Sequence, residues 1–177
     1  MVNLTDNSGE AIFSNPGDWY KITLADGKEL GLGAPHPSSA NNGRTLVEVV
    51  PAGSGMVFRY QRKDGDDRQH QGWPIGDKGY LRGIQVLPDG SQVVKNLSLS
   101  WEPVKLCLYD NYDNYGMVAT QLPGNRVALY GYNRHGGVCG LRVTPNGNVI
   151  AHEAPYPLPL DCEFVKVNGG RYVVGQW

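Results

Sequence analysis

Three short segments of this 177-residue chain combine aromatic rings with side chains that hydrogen-bond in fixed directions. They are Tyr109-Asp-Asn-Tyr-Asp-Asn-Tyr-Gly116, Tyr130-Gly-Tyr-Asn-Arg-His-Gly-Gly137 and Gln69-His-Gln-Gly-Trp73. Such pairings suit a neutral sugar, because a flat ring covers its C–H face while a few placed polar groups take its hydroxyls. The expected ligand-binding set is therefore His70 and Trp73, then Asp110, Asn111, Tyr112 and Asp113, then Tyr132, Asn133, Arg134 and His135. The same residue types also have a purely structural use. Asn and Asp bond their own backbone in turns and Tyr favours strands, so each loop taken alone reads first as a turn.

Catalysis has one local candidate, His135-Gly-Gly-Val-Cys139, in which an imidazole, a thiol and a glycine-rich backbone lie close in sequence. In an extended strand those two side chains stand about 13 Å apart, so only a turn at Gly136-Gly137 could pair them. A strand also lacks the helix N-terminus or positioned cation that lowers a catalytic thiol's pKa. His36, His70 and His152 are isolated, without zinc-ligand spacing. Asp110, Asn111 and Asp113, or Asp64, Asp66 and Asp67, offer oxygen ligands but lack the EF-hand glutamate. Neither a metal nor a cofactor is expected, and the chain reads as a binder more than an enzyme.

The elements that must position these loops are strands. No 11-residue window free of Gly and Pro carries helical apolar spacing, whereas short alternating runs recur at 20–24, 45–50, 56–60, 83–86, 92–94, 104–109, 117–120, 126–130, 141–143, 148–150, 162–167 and 171–174. Asp26-Gly27, Asp89-Gly90, Asn146-Gly147 and Asn168-Gly169 place glycine where a hairpin needs positive φ. Two of these turns belong to a longer match. Gly83-Ile-Gln-Val-Leu-Pro-Asp-Gly90 and Gly140-Leu-Arg-Val-Thr-Pro-Asn-Gly147 lie 57 residues apart, with a fainter copy at Tyr20-Lys-Ile-Thr-Leu-Ala-Asp-Gly27.

Three units of about four strands give an all-β chain with about twelve strands, arranged as a β-trefoil; an antiparallel sandwich or another barrel is the alternative. The chain is expected to form one domain over 1–177, with internal units 15–77, 78–135 and 136–177. On this reading Trp73, 46 residues after Gly27, and Tyr132 to His135, 42 to 45 after Gly90, take similar places. The repeat resembles β-trefoil proteins in general, a group that includes lectins and protease inhibitors. The Q-x-W signature of ricin-B type lectins is absent, so their sugar-site residues are not carried over.

Charge narrows the partners. The formal net charge is −1 and the basic residues are scattered, which argues against nucleic acid. No apolar run reaches membrane-span length, and residues 1–9 carry no export signal, so the expected location is cytoplasmic or released without a classical signal peptide. Cys107, Cys139 and Cys162 are read as reduced, buried thiols. The leading expectation is a non-enzymatic, lectin-like module that binds a glycan or glycoprotein, with a homo-oligomer left open. The alternative is a protein-binding inhibitor or toxin-like trefoil acting through the loops Ala34 to Gly43 or Asp64 to Gly76, since rigid scaffolds commonly present function on loops. A small β-rich hydrolase comes third.

Overall fold

Alternating apolar residues become strands wherever one face can be buried, and a computed structural model shows how these strands pair. It describes residues 2–15, 17–63, 71–86, 88–89, 91–101, 104–109, 116–133, 135–152 and 157–168. Among the described residues there are twelve strands: β1 Asp18–Leu24, β2 Glu29–Pro35, β3 Thr45–Val50, β4 Val57–Gln61, β5 Lys78–Val86, β6 Gln92–Leu99, β7 Leu106–Tyr109, β8 Met117–Leu122, β9 Arg126–Tyr132, β10 Val138–Val143, β11 Val149–His152 and β12 Leu160–Asn168.

Six strands close a ring of antiparallel pairs, β1 with β4, β4 with β5, β5 with β8, β8 with β9, β9 with β12 and β12 with β1. The other six form three hairpins, β2–β3, β6–β7 and β10–β11. These meet one another through the β3–β7 pair and the bridges Glu48 to Asn148 and Lys105 to Ile150. A closed six-stranded barrel with three mutually paired hairpins is a β-trefoil, so the expected fold class is the one observed.

The repeat that suggested it is only partly the repeat of the fold. The pairing pattern restarts at Asp18, Lys78 and Arg126, steps of 60 and 48 residues. Asp89 therefore lies in the β5–β6 turn, whose counterpart is the β1–β2 turn at Asp26, whereas Asn146 lies in the β10–β11 turn. The stronger sequence match joins inequivalent turns, and the fainter copy is the equivalent one. The physical reason is local. Leu24 N donates to Lys28 O at 2.7 Å and Thr144 N to Asn148 O at 2.8 Å, with Gly27 at φ 85° and Gly147 at φ 87°. One turn geometry is thus used at two different places, and the residues that encode it carry no address. The same shift puts Trp73 between β4 and β5 but Tyr132 to His135 at the β9–β10 turn, so the two segments do not correspond.

Strand β2 was not anticipated, because Glu29-Leu-Gly-Leu-Gly-Ala-Pro35 looks like a turn-former. Its glycines are there for close approach: a Cβ on Gly31 would stand 2.6 Å from Val50 Cγ2, and the Glu48 side chain crosses Gly33. Of the expected strands, 171–174 lies outside the described residues.

The barrel interior is aromatic. Trp73 stacks on Tyr60 at 5.0 Å and 8°, meets Phe164 edge-on at 6.0 Å and 82°, and Tyr20 meets Phe164 at 6.1 Å. Leu4 and Ile12 from the N-terminal arm pack into the same core, held by Leu4 N to Trp73 O at 2.7 Å and Trp73 N to Ile12 O at 3.0 Å. Trp73 is 0% exposed, and its Nε1 donates to Asp77 O at 2.9 Å. A ring with no exposed face cannot stack on a sugar, which corrects the expectation for Trp73.

Trp73→Ala should therefore cost about 3–5 kcal/mol of stability, read from the urea midpoint; a loss under about 1 kcal/mol would contradict the core placement. A second expectation concerns Tyr20, whose phenol is pushed up to about 12, chiefly by burial and against the Phe13 N–H bond that it accepts. Unfolded tyrosine ionises near pH 10. The unfolded chain thus releases this proton first, so the stability contribution is whole below about pH 10 and lost as pH rises through the folded value. Urea midpoints from pH 9 upward should fall, less steeply in Tyr20→Phe.

Candidate functional site

The connection from β2 to β3 runs over His36–Arg44, and it is exposed along its crest yet pinned from beneath. Pro35 and Pro37 restrict the backbone at its entry. A 3-10 turn, Ser39–Asn41, forms its apex, and His36 N donating to Arg44 O at 2.9 Å closes its base. Three polar side chains then turn inward, with His36 at 7%, Asn41 at 1% and Arg44 at 5% exposure. Buried polar groups cost free energy unless they are hydrogen-bonded, and these are.

Each pin reaches the neighbouring β6–β7 hairpin. Asn41 acts like a short strand: its Oδ1 accepts from Trp101 N at 2.8 Å and its Nδ2 donates to Trp101 O at 3.3 Å. His36 Nε2 stands 3.1 Å from Ser100 Oγ, while its Nδ1 accepts from Ser38 N at 3.1 Å. Ser100 Oγ accepts from Lys105 N at 3.0 Å and donates to Trp101 O at 2.9 Å. The Arg44 guanidinium lies 4.0 Å from the Tyr109 ring centroid and donates to Cys107 Sγ at 3.9 Å. The outcome is a pinned, exposed surface of Pro37, Ser39, Ala40, Asn42 and Gly43 beside Trp101, a residue 40% exposed.

The hydrogen bonds of this arrangement do not activate a nucleophile at Ser100 or Cys107. With Nδ1 accepting, a neutral His36 ring carries its proton on Nε2, directed at Ser100, and cannot take the serine's proton. Burial raises the Cys107 thiol to about 11, outweighing the pull of Arg44, so it is neutral at physiological pH. Cys139 is wholly buried in the core with Sγ toward Gly137 O at 3.8 Å, whereas His135 is exposed at the turn. A wholly buried thiol is closed to substrate, which argues against the thiol–imidazole candidate. All three cysteines are free and buried.

Among the other sequence-derived candidates, Asn133 spends its Oδ1 on its own turn, accepting from His135 N and Gly137 N at 2.9 Å each. Tyr132 is half-buried under Lys78, whose Nζ lies 4.4 Å from the ring centroid. His70, Asp110, Asn111, Tyr112, Asp113 and Arg134 lie outside the described residues, as do Asp64, Asp66 and Asp67. What sequence reasoning missed is the set His36, Asn41, Arg44, Ser100 and Trp101. Loop length and the two prolines marked the segment, but Asn41 and its partner are 60 positions apart.

No protein-family model matches the chain, and no curated protein matches it. Solved structures do match. The complex of porcine pancreatic trypsin with soybean trypsin inhibitor contains a chain 13% identical, with TM-score 0.66, covering 94% of this chain and 99% of that one. The water-soluble chlorophyll protein from Brassica oleracea var. Botrytis, with chlorophyll b, is 13% identical at TM-score 0.65, covering 94% and 99%. Winged bean albumin 1 is 15% identical at TM-score 0.63, covering 94% and 100%. At identities this low, the structural likeness over nearly the whole chain shows a common β-trefoil fold and nothing more.

If the loop is held as described, Asn41→Ala removes the side-chain acceptor from the Trp101 N–H and one of the two donors to its C=O, Ser100 Oγ remaining. Hydrogen exchange of the Trp101 amide should accelerate by about tenfold or more while barrel amides keep their protection. Equal protection in the variant would show that Asn41 does not fix the loop.

Proposed function

We propose that this protein is a non-enzymatic binding module that inhibits a partner protein through its exposed loops, foremost the His36–Arg44 turn together with Trp101. The observation that carries this reading is the burial of three polar side chains beneath an otherwise exposed loop. Ordering a loop on binding costs affinity, and a loop already ordered by its own protein avoids much of that cost. A partly exposed tryptophan at its flank is the residue type that most often anchors protein interfaces. The fold shared with trypsin inhibitors supports the same class of role.

The loop's shape narrows the mode of docking. Ser38 (φ −83°, ψ 134°) and Asn42 (φ −57°, ψ 135°) are extended, but the residues between them form a 3-10 turn. Such a segment presents a rigid corner rather than a strand laid along a cleft. The connection Asp64 to Gly76 is the second loop of the same proposal. The glycan reading is weaker than before, because Trp73 is in the core and the Asn133 amide oxygen serves its own turn.

The test is inhibition of a panel of serine proteases by the intact protein. We expect at least one to be inhibited, with the inhibition constant raised about tenfold or more by Trp101→Ala. An intact protein that inhibits none of them would sink the inhibitor reading. Inhibition untouched by Trp101→Ala and Asn41→Ala would transfer the site to the 64–76 connection.

A further inference from the structure

Among the described residues, two exposed asparagines precede a glycine: Asn42 in the β2–β3 loop and Asn146 in the β10–β11 turn. Such a pair carries its own nucleophile and electrophile, since the glycine nitrogen can attack the asparagine Cγ and no Cβ hinders the approach. The turn that holds the pair decides whether the two meet.

At Asn146 both groups are engaged. Gly147 N donates to Thr144 O at 2.9 Å, and Asn146 Oδ1 accepts from Thr144 Oγ. Asn42 is held differently. Its φ of −57° and ψ of 135°, Gly43 at φ 85° and the bond from Arg44 N to Asn41 O at 3.0 Å define a type II turn over residues 41–44. The central peptide of that turn stands outside the closing bond, and among the described residues neither Gly43 N nor the Asn42 carboxamide has a hydrogen-bond partner. Both residues are exposed, so water and base reach them. The bond that opposes rotation of the peptide is the one across the turn, of ordinary net strength.

We infer that Asn42 is a site of spontaneous modification, converting to aspartate and isoaspartate. Gly43 N gives its proton to solvent base and bonds to Asn42 Cγ; the Cγ–Nδ2 bond breaks, and Nδ2 takes a proton from solvent and leaves as ammonia. A succinimide ring results. Water opening it at Cγ breaks the new bond to nitrogen and yields aspartate, whereas water adding at the main-chain carbonyl breaks the original peptide bond and yields isoaspartate, with the chain running through Cγ. Water enters and ammonia leaves, with no change of oxidation state. Either product puts a negative charge on a crest whose exposed residues Pro37, Ser39, Ala40, Asn42 and Gly43 carry none, and isoaspartate also lengthens the main chain. On the reading of this crest as the inhibitory surface, the reaction sets how long that surface keeps its shape.

The test incubates the intact protein in mildly alkaline buffer, with no protease present, and maps its peptides by mass, where OH in place of NH2 marks each converted asparagine. Conversion at Asn42 should outpace that at Asn146 by about fivefold or more, the effect of one further hydrogen bond to break. Hydroxylamine, which attacks a succinimide and cuts the chain, should cleave after Asn42 in samples drawn during the incubation. Asn42→Gln should abolish both signals at this position, and Asn41→Ala, by loosening the turn, should speed conversion at Asn42. The converted fraction, separated by charge, should inhibit any protease that fresh protein inhibits about tenfold or more less tightly. Conversion no faster at Asn42 than at Asn146, or no cleavage by hydroxylamine, would overturn the assignment, and a converted fraction as inhibitory as fresh protein would overturn its bearing on the loop. Conversion at Asn42 in a protein that inhibits no protease would uphold the modification site and remove the inhibitor reading alone.

Discussion

Closure of the six-stranded barrel around the Trp73 ring is the constraint on which the rest of the molecule depends. A closed ring of strands has no edge left to pair, but it encloses a space that side chains must fill. Here Tyr20, Phe58, Tyr60, Trp73 and Phe164 fill it, all buried. Tyr60 and Trp73 can stack at 5.0 Å only because Gly79, on the neighbouring strand, lacks a side chain: a Cβ there would stand 2.5 Å from Trp73 Cε2 and 2.7 Å from Tyr60 Cε1. The polar atoms carried inward with these rings find partners, Tyr20 at Phe13 N and Trp73 at Asp77 O. Those bonds tie the N-terminal arm and the β4–β5 connection to the end of the barrel.

A filled interior sends recognition to the outside of the molecule. The hairpins then differ from the barrel in how they are stabilised, since their loops bury little apolar surface and must satisfy exposed-chain polar groups instead. Asn41 does this most economically, supplying one donor and one acceptor to the backbone of Trp101 as a strand would. Because His36, Asn41 and Arg44 all reach into the β6–β7 hairpin, the loop of one trefoil unit is held by its neighbour. Rigidity there is a product of the assembly of units, not of the loop's own composition.

The outer barrel wall shows the same economy with charge. Cross-strand pairing fixes which side chains stand together, and the fold uses that to seat Arg126 between Asp161 and Glu163. It uses the identical device to set Arg82 against Arg59 with an apolar row alongside.

Much of this was legible from residues alone. Alternation exposed eleven of the observed strands, and Asp-Gly and Asn-Gly turns located hairpins, because period-two burial and positive φ are properties of a few adjacent residues. Strand β2 escaped because its glycines answer to Val50 and Glu48, which only pairing brings near. The equivalence of the repeats was misassigned for a related reason: a turn motif records its local geometry and nothing about which strands flank it. Trp73 looked like a sugar platform in sequence and is core in the fold, since an aromatic beside Gly and Gln reads alike in either setting. Residue order by itself determined the all-β class, the trefoil-like strand number and the hairpin chemistry. Tertiary structure decided which turns correspond, which aromatic faces are covered, and which side chains meet from 60 residues apart, because those follow from closing the barrel and no short window of sequence contains that closure.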